Sequence, residues 1–146
     1  LTGLFNRRRL PPEFNRLQGE AAARGRSLLL VAWDLDDLKR VNDRDGHAAG
    51  DAHLRAFAEA LRDAVRRPSS ERAGDSAFRI GGNEFLSLHL DAPDGEQLLA
   101  RVRERFAAVS AGWVPCERTD LDRALTLADA ALYANKVVRK QASGST

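Results

Sequence analysis

At 146 residues the chain is long enough to bury one core and too short for a second domain of ordinary size. Its 23 Lys and Arg against 21 Asp and Glu leave a formal charge of +2, ordinary for a small domain, while a pI near 9.1 and an arginine excess suit a phosphate-bearing small ligand better than a nucleic-acid polymer. A single cysteine, Cys116, excludes an internal disulfide and a zinc cluster and fits a reducing, cytoplasmic compartment. No apolar run approaches the roughly 20 residues of a membrane span, and no signal-peptide pattern opens the chain. Methionine is absent, which reads as a fragment of a longer protein whose missing neighbour is a sensory or effector domain.

Pro11-Pro12 opens a helical stretch to about Arg24, with Phe14, Leu17 and Ala21 at helical spacing and Gly25 to end it. Ser27 to Trp33 is a continuous apolar run of strand length, and Asp34-Leu35-Asp36 places carboxylates where that strand emerges. Gly50 to Arg66 carries Leu54, Phe57, Ala58, Leu61 and Val65 on one side, an amphipathic helix that Pro68-Ser69-Ser70 breaks. Two short apolar runs, Ala77 to Ile80 and Phe85 to Leu90, flank Gly81-Gly82-Asn83-Glu84, which reads as the tight turn of a β-hairpin. Asp94-Gly95-Glu96 leads into a helix through Leu98, Leu99, Val102 and Phe106, followed by a strand from about Ala107 to Val114. A last helix from Leu121 to Val138 closes a domain over residues 1–142, leaving Ser143 to Thr146 as a flexible tail. The hairpin makes an antiparallel pair, so the expected class is α/β of the α+β kind: a mixed or antiparallel sheet flanked by helices.

Glycines at the hairpin turn permit close ligand approach, and an acidic residue beside them can hold a metal, yet Asn83 is neutral where such chemistry prefers a carboxylate. Gly81-Gly82-Asn83-Glu84-Phe85 resembles the Gly-Gly-Asp/Glu-Glu-Phe signature of the GGDEF family of bacterial signalling domains. The resemblance extends over nearly the whole chain. It takes in Leu1-Thr2-Gly3-Leu4-Phe5-Asn6-Arg7-Arg8, Asp34 to Asp43 with Gly46-His47 and Gly50-Asp51, and Ala128 to Lys136, in the family's order and approximate spacing. Active members are diguanylate cyclases that condense two GTP into cyclic di-GMP, on a five-stranded, palm-like, nucleotidyl-cyclase-like sheet. Family members usually carry a longer connection, often with an extra hairpin, between the helix ending at Phe106 and the next strand; here it is trimmed.

That chemistry sends the 3′-hydroxyl of one GTP to the α-phosphate of another and needs the triphosphate charge neutralised, mostly by Mg²⁺ or Mn²⁺ when GTP is bound. The resemblance implies metal ligands at Asp34, at the carbonyl of Leu35 and at Glu84, and makes Asn83 the degenerate position of the catalytic signature. An amide brings no charge and cannot act as a base. Strand alternation sends Glu84 and Asn83 to opposite faces unless the turn twists them. Asn42 and Asp51 match the positions that read guanine, Asp51 accepting from donors that adenine lacks, and His47 braces their loop. Lys39, Lys136 and Lys140 match triphosphate-binding positions. Arg139-Lys140 stands where the family has Gly-Arg, so Lys140 keeps a charge without the bidentate fork. Arg72-Ala73-Gly74-Asp75 matches the Arg-x-x-Asp motif of feedback-inhibited members, whose Arg and Asp bind cyclic di-GMP away from the active site.

Three functions follow from these residues. One is a cyclic di-GMP signalling domain that binds GTP, cyclic di-GMP or both, with weak or absent cyclase activity. Another is an active cyclase, which in this family works as a homodimer of facing GTP-loaded domains, brought together here through flanking regions. The last is a structural dimerisation module, against which the retention of Asp34, Lys39, Asn42, Asp51 and Lys136 speaks.

Overall fold

The computed structural model describes residues 4–65, 75–91 and 94–144, with the side chains of the last helix described through Arg139. After a short 3-10 turn at Arg7–Arg9 come α1 (Leu10–Arg24), β1 (Leu28–Leu35), α2 (Leu38–Asp45) and α3 (His47–Val65). β2 (Ser76–Gly81), β3 (Glu84–Leu90), α4 (Gly95–Arg103), β4 (Val109–Pro115) and α5 (Leu121–Gly144) complete the chain. α5 therefore runs past Val138, two residues into the segment expected to be a tail.

Among the described residues the sheet has four strands in the order β2-β3-β1-β4, every neighbouring pair antiparallel. The class is the expected α+β; the expected fifth strand is not among them. Residues 104–108 alone link α4 to β4, a connection too short to hold another hairpin. At the outer edge of β2, Phe5 forms a single parallel bridge to Phe78, its N–H on the Ala77 carbonyl at 3.2 Å.

β1 is the centre of the sheet, and its alternation builds two cores. Leu28, Leu30 and Ala32 face α1 and α5, joining Leu10, Phe14, Leu17, Ala124 and Ala128. Val31, Trp33 and Leu35 face α3 and α4, joining Phe57, Leu61, Leu98 and Val102. Pro11 and Pro12 suit the first turn of α1, where no N–H is needed, and Gly25 closes the helix in the left-handed region at φ 61°. Truncating a fully buried side chain such as Leu30 to Ala would cost about 2–5 kcal/mol.

One contact decides where the last helix sits. A Cβ on Gly112 would lie 2.1 Å from the Leu132 backbone nitrogen, so glycine lets α5 press directly on β4. Asn135 then donates its amide to the Ala111 carbonyl at 2.7 Å. This crossing carries Lys136 and Arg139, one and nearly two turns further along the helix from Leu132, over the carboxylate end of β1.

Candidate functional site

β1 ends at Leu35, an apolar residue flanked by Asp34 within the strand and Asp36 just past it. Leu35 goes into the α3/α4 core, so Asp34 and Asp36 lie on the α5 face. Asp34 pairs in register with Glu84 on one side and Ser110 on the other, and opposed residues of an antiparallel pair share a face. Glu84 thus sits beside Asp34, exposed to solvent, rather than behind it.

Asn83 reaches the same carboxylate from the turn. Its amide Nδ2 donates a short hydrogen bond to Asp34 Oδ1 and lies 3.4 Å from the Leu35 carbonyl, while its own backbone carbonyl accepts from the Leu35 N–H at 3.3 Å. Gly82, at φ 22°, and a register shift between Arg79 and Gly81 give the turn the twist that brings Asn83 and Glu84 to one place. On the other side, the Lys136 ammonium donates to Asp34 Oδ2 in a short ion pair, with 17% of the aspartate side chain and 35% of the lysine exposed. Both oxygens of Asp34 are therefore engaged by nitrogen donors.

A second charged group lies beside it: Asp36, read from the sequence as a carboxylate at the strand's end but given no role or partner there. Asp36 accepts from Ser110 Oγ at 2.9 Å and lies 3.3 Å from Arg139 Nε without hydrogen-bond geometry. Arg139 also donates to the carbonyls of Val109 and Ala107, each at 2.8 Å, and Arg103 donates twice to Val109. Burial, and next the neighbouring Arg139 charge, lower the Arg103 pKa from its ordinary value, against the opposing pull of Asp36. The signal that could have given Asp36 its place is the two-residue spacing from Asp34, which turns both toward the same side as the chain leaves the strand.

The remaining residues of the site gather around α2. Asp37, just before that helix, adopts the left-handed region at φ 63°, uncommon for a residue with a side chain and typical of sites held by their surroundings. Lys39 is exposed and lines an open hollow with Asp37, Arg40, Asp43 and Arg44. The Asn42 side chain lies against α3 where a Cβ on Gly50 would come within 1.6 Å of its Oδ1. Gly50 is therefore what allows Asn42 to approach, and the exposed Asp51 follows it directly. Asn42 and Gly50, eight positions apart in the motif, are thus neighbours in space.

Asp75 lies elsewhere. Its carboxylate turns inward: Oδ1 accepts from the Leu90 N–H at 3.2 Å, Oδ2 is 3.5 Å from His89 Nδ1, and only 5% of the side chain is exposed. Arg72, its expected partner, lies outside the described residues, as does the side chain of Lys140.

The donor set can be tested against a divalent cation. Mg²⁺ takes carboxylate and carbonyl oxygens in a near-ideal octahedron. Asp34 already receives an ammonium and an amide N–H, the Leu35 carbonyl faces that same amide nitrogen, and Glu84 supplies one further carboxylate. Among the described residues no group of three or more His, Cys, Asp or Glu could hold a metal ion. As arranged, these residues do not fit a resident Mg²⁺.

The four-stranded antiparallel sheet with its flanking helices and glycine-containing hairpin turn defines an α+β fold, and comparison with known proteins gives the family. Residues 1–142 match the family model described as diguanylate cyclase, GGDEF domain, and the chain belongs to that family. It is 31% identical over 147 aligned residues to the probable diguanylate cyclase DgcJ of Escherichia coli K12, covering 93% of this chain and 28% of that protein. It is 43% identical over 115 residues to the diguanylate cyclase DgcP of Pseudomonas aeruginosa PAO1, covering 74% and 16%. The chain thus spans less than a third of these relatives. Among solved structures, a sensory box/GGDEF family protein of Caulobacter crescentus superposes with a TM-score of 0.81 at 31% identity, covering 94% of this chain and 96% of that one. The GGDEF domain of DgcB from the same organism, solved in complex with c-di-GMP, gives 0.75 at 26% identity, covering 92% and 86%. No helix among the described residues is long and apolar enough to cross a membrane.

Proposed function

We propose that this domain is a cyclic di-GMP signalling module that binds guanine nucleotide and turns GTP over weakly or not at all. The observation that carries this reading is the contact of Asn83 with Asp34. Where the family signature has a second carboxylate, an amide N–H satisfies the first one and brings no negative charge. The residues assigned to base recognition are separate from that contact. Asn42 lies against Gly50, the residue before Asp51, whose exposed carboxylate would accept from the guanine Watson–Crick edge, and Lys39 stands exposed for phosphate at the head of α2. Affinity and turnover are therefore separable.

Cyclic di-GMP is the second ligand, with Arg72 and Asp75 as its assigned contacts; binding through Asp75 requires its carboxylate to leave the Leu90 N–H and His89. Dimerisation through flanking regions and coupling to a sensory or effector domain complete the proposed signalling role, in the reducing cytoplasm that suits the free thiol of Cys116. A specific observation also favours an active enzyme. Glu84 is exposed beside Asp34 on the same face, where it offers a replacement carboxylate.

The test fuses the chain to a dimerising coiled coil and supplies GTP with Mg²⁺ or Mn²⁺, with cyclic di-GMP detected by mass. Asn83→Asp should raise product formation by about 10²–10³, the usual worth of one aimed electrostatic group. Comparable turnover by the parent would establish the enzyme reading through Glu84.

A further inference from the structure

The misfit of the site to Mg²⁺ has a positive side. Resting on the reading above that the domain binds guanine nucleotide, we propose that Lys136 stands in for the divalent cation, so that the site takes the nucleotide triphosphate as a metal-free anion. The Lys136 ammonium sits on Asp34 Oδ2 and the Asn83 amide on Oδ1, so one tethered positive charge balances one carboxylate. The tether is short and braced. Gly112 holds α5 directly on β4, and Asn135, the residue before Lys136, is bonded to the Ala111 carbonyl.

An ammonium carries three N–H donors, and the contact with Asp34 uses one. With 35% of its side chain exposed, Lys136 can offer the others to a phosphate oxygen without leaving Asp34. Entry of Mg²⁺ would instead require displacing Lys136, turning the Asn83 amide about and seating a doubly charged ion beside the displaced ammonium. In a site with two signature carboxylates the anionic charge would repay that rearrangement. With Asn83 in place, Asp34 keeps only the solvent-exposed Glu84 beside it, one carboxylate fewer than the full signature would supply, and the Arg139 guanidinium already neutralises neighbouring Asp36.

Two measurements test this. Binding of a non-hydrolysable GTP analogue is titrated calorimetrically with Mg²⁺ and again with excess chelator. The wild-type affinities should agree within about twofold, whereas for Asn83→Asp the metal should tighten binding by about tenfold or more, a common scale for coupling between two bound species. Loss of wild-type binding on chelation, restored by Mg²⁺, overturns the proposal. In parallel, Mn²⁺ is titrated into the nucleotide-free chain and followed by electron paramagnetic resonance. No stoichiometric site should appear in wild type, and one should appear in the double variant Asn83→Asp/Lys136→Gln. A wild-type Mn²⁺ site abolished by Asp34→Asn overturns the proposal. If the analogue binds under neither condition, the guanine-nucleotide reading falls, and the Mn²⁺ titration alone decides whether Lys136 excludes the cation.

Discussion

Asp34 and Trp33 are consecutive in β1, and alternation sends them into polar clusters of opposite character on the two faces of one sheet. On the α5 face, Asp34 meets a charged, partly exposed partner in Lys136. On the α3/α4 face, Trp33 Nε1–H donates to Ser87 Oγ at 2.8 Å, Ser87 Oγ is 2.7 Å from His89 Nε2, and His89 Nδ1 faces Asp75. Ser, His and Asp in that order resemble a hydrolase triad, but Ser87 is wholly buried and His89 is 1% exposed, so no substrate can reach them. The difference is one of water. A polar group at the rim can exchange its partner for solvent or a ligand, whereas one in the interior depends on the partner that the fold supplies.

The largest effect should come from breaking the interior cluster. Ser87→Ala removes the shared oxygen and leaves both the Trp33 indole N–H and His89 Nε2 buried without it, a cost of about 2–4 kcal/mol in urea unfolding. His89→Leu removes one of those stranded groups, so the double variant should lose less than the sum of the singles. Additive losses would show that the cluster is not a network. At the rim, Asp34→Ala should shift stability by no more than about 1 kcal/mol, because Lys136 and Asn83 regain water. A loss as large as that of Ser87→Ala would erase the contrast between the faces.

How far the sequence could be read follows the same division. The apolar runs gave the central strand and the amphipathic helices because burial imposes a visible period, and the helix through Leu54 and Phe57 appears with its apolar side inward as expected. The hairpin was legible from Gly81-Gly82 between two apolar runs. The position of Asn83 marked a change in chemistry, but its bond to Asp34 depends on strand register and turn twist, 49 residues apart in sequence. The inward turn of Asp75 was hidden for the same reason. Its partners Leu90 and His89 come from the far end of the neighbouring strand. Nor did Arg139 announce that it would reach Asp36 and the carbonyls of Ala107 and Val109, since that follows from the close crossing permitted by Gly112.

Glu13 supplies a carboxylate between these extremes, and with it the smallest effect. On α1, it accepts from Arg16 Nε at 2.6 Å and from Ser76 Oγ of β2 at 2.6 Å, with 12% of its side chain exposed beside a half-exposed arginine. The Arg16 hydrogen bond is the main cause that lowers its pKa; burial opposes it and the Ser76 bond assists. A carboxyl whose folded pKa lies below its unfolded value contributes stability above the unfolded pKa, and that contribution fades as pH falls through the folded one. Glu13→Gln should therefore cost up to about 1 kcal/mol at neutral pH, and the gap between variant and parent should close on acidification below the ordinary glutamate range. Ser76 can still donate to the carbonyl oxygen of the substituted amide, so a gap that persists unchanged at low pH would mean that shape rather than charge holds α1 to β2. A gap that closes would place Glu13 with Asp34, among the carboxylates whose contribution depends on charge, and apart from the neutral Ser87 contacts of the interior.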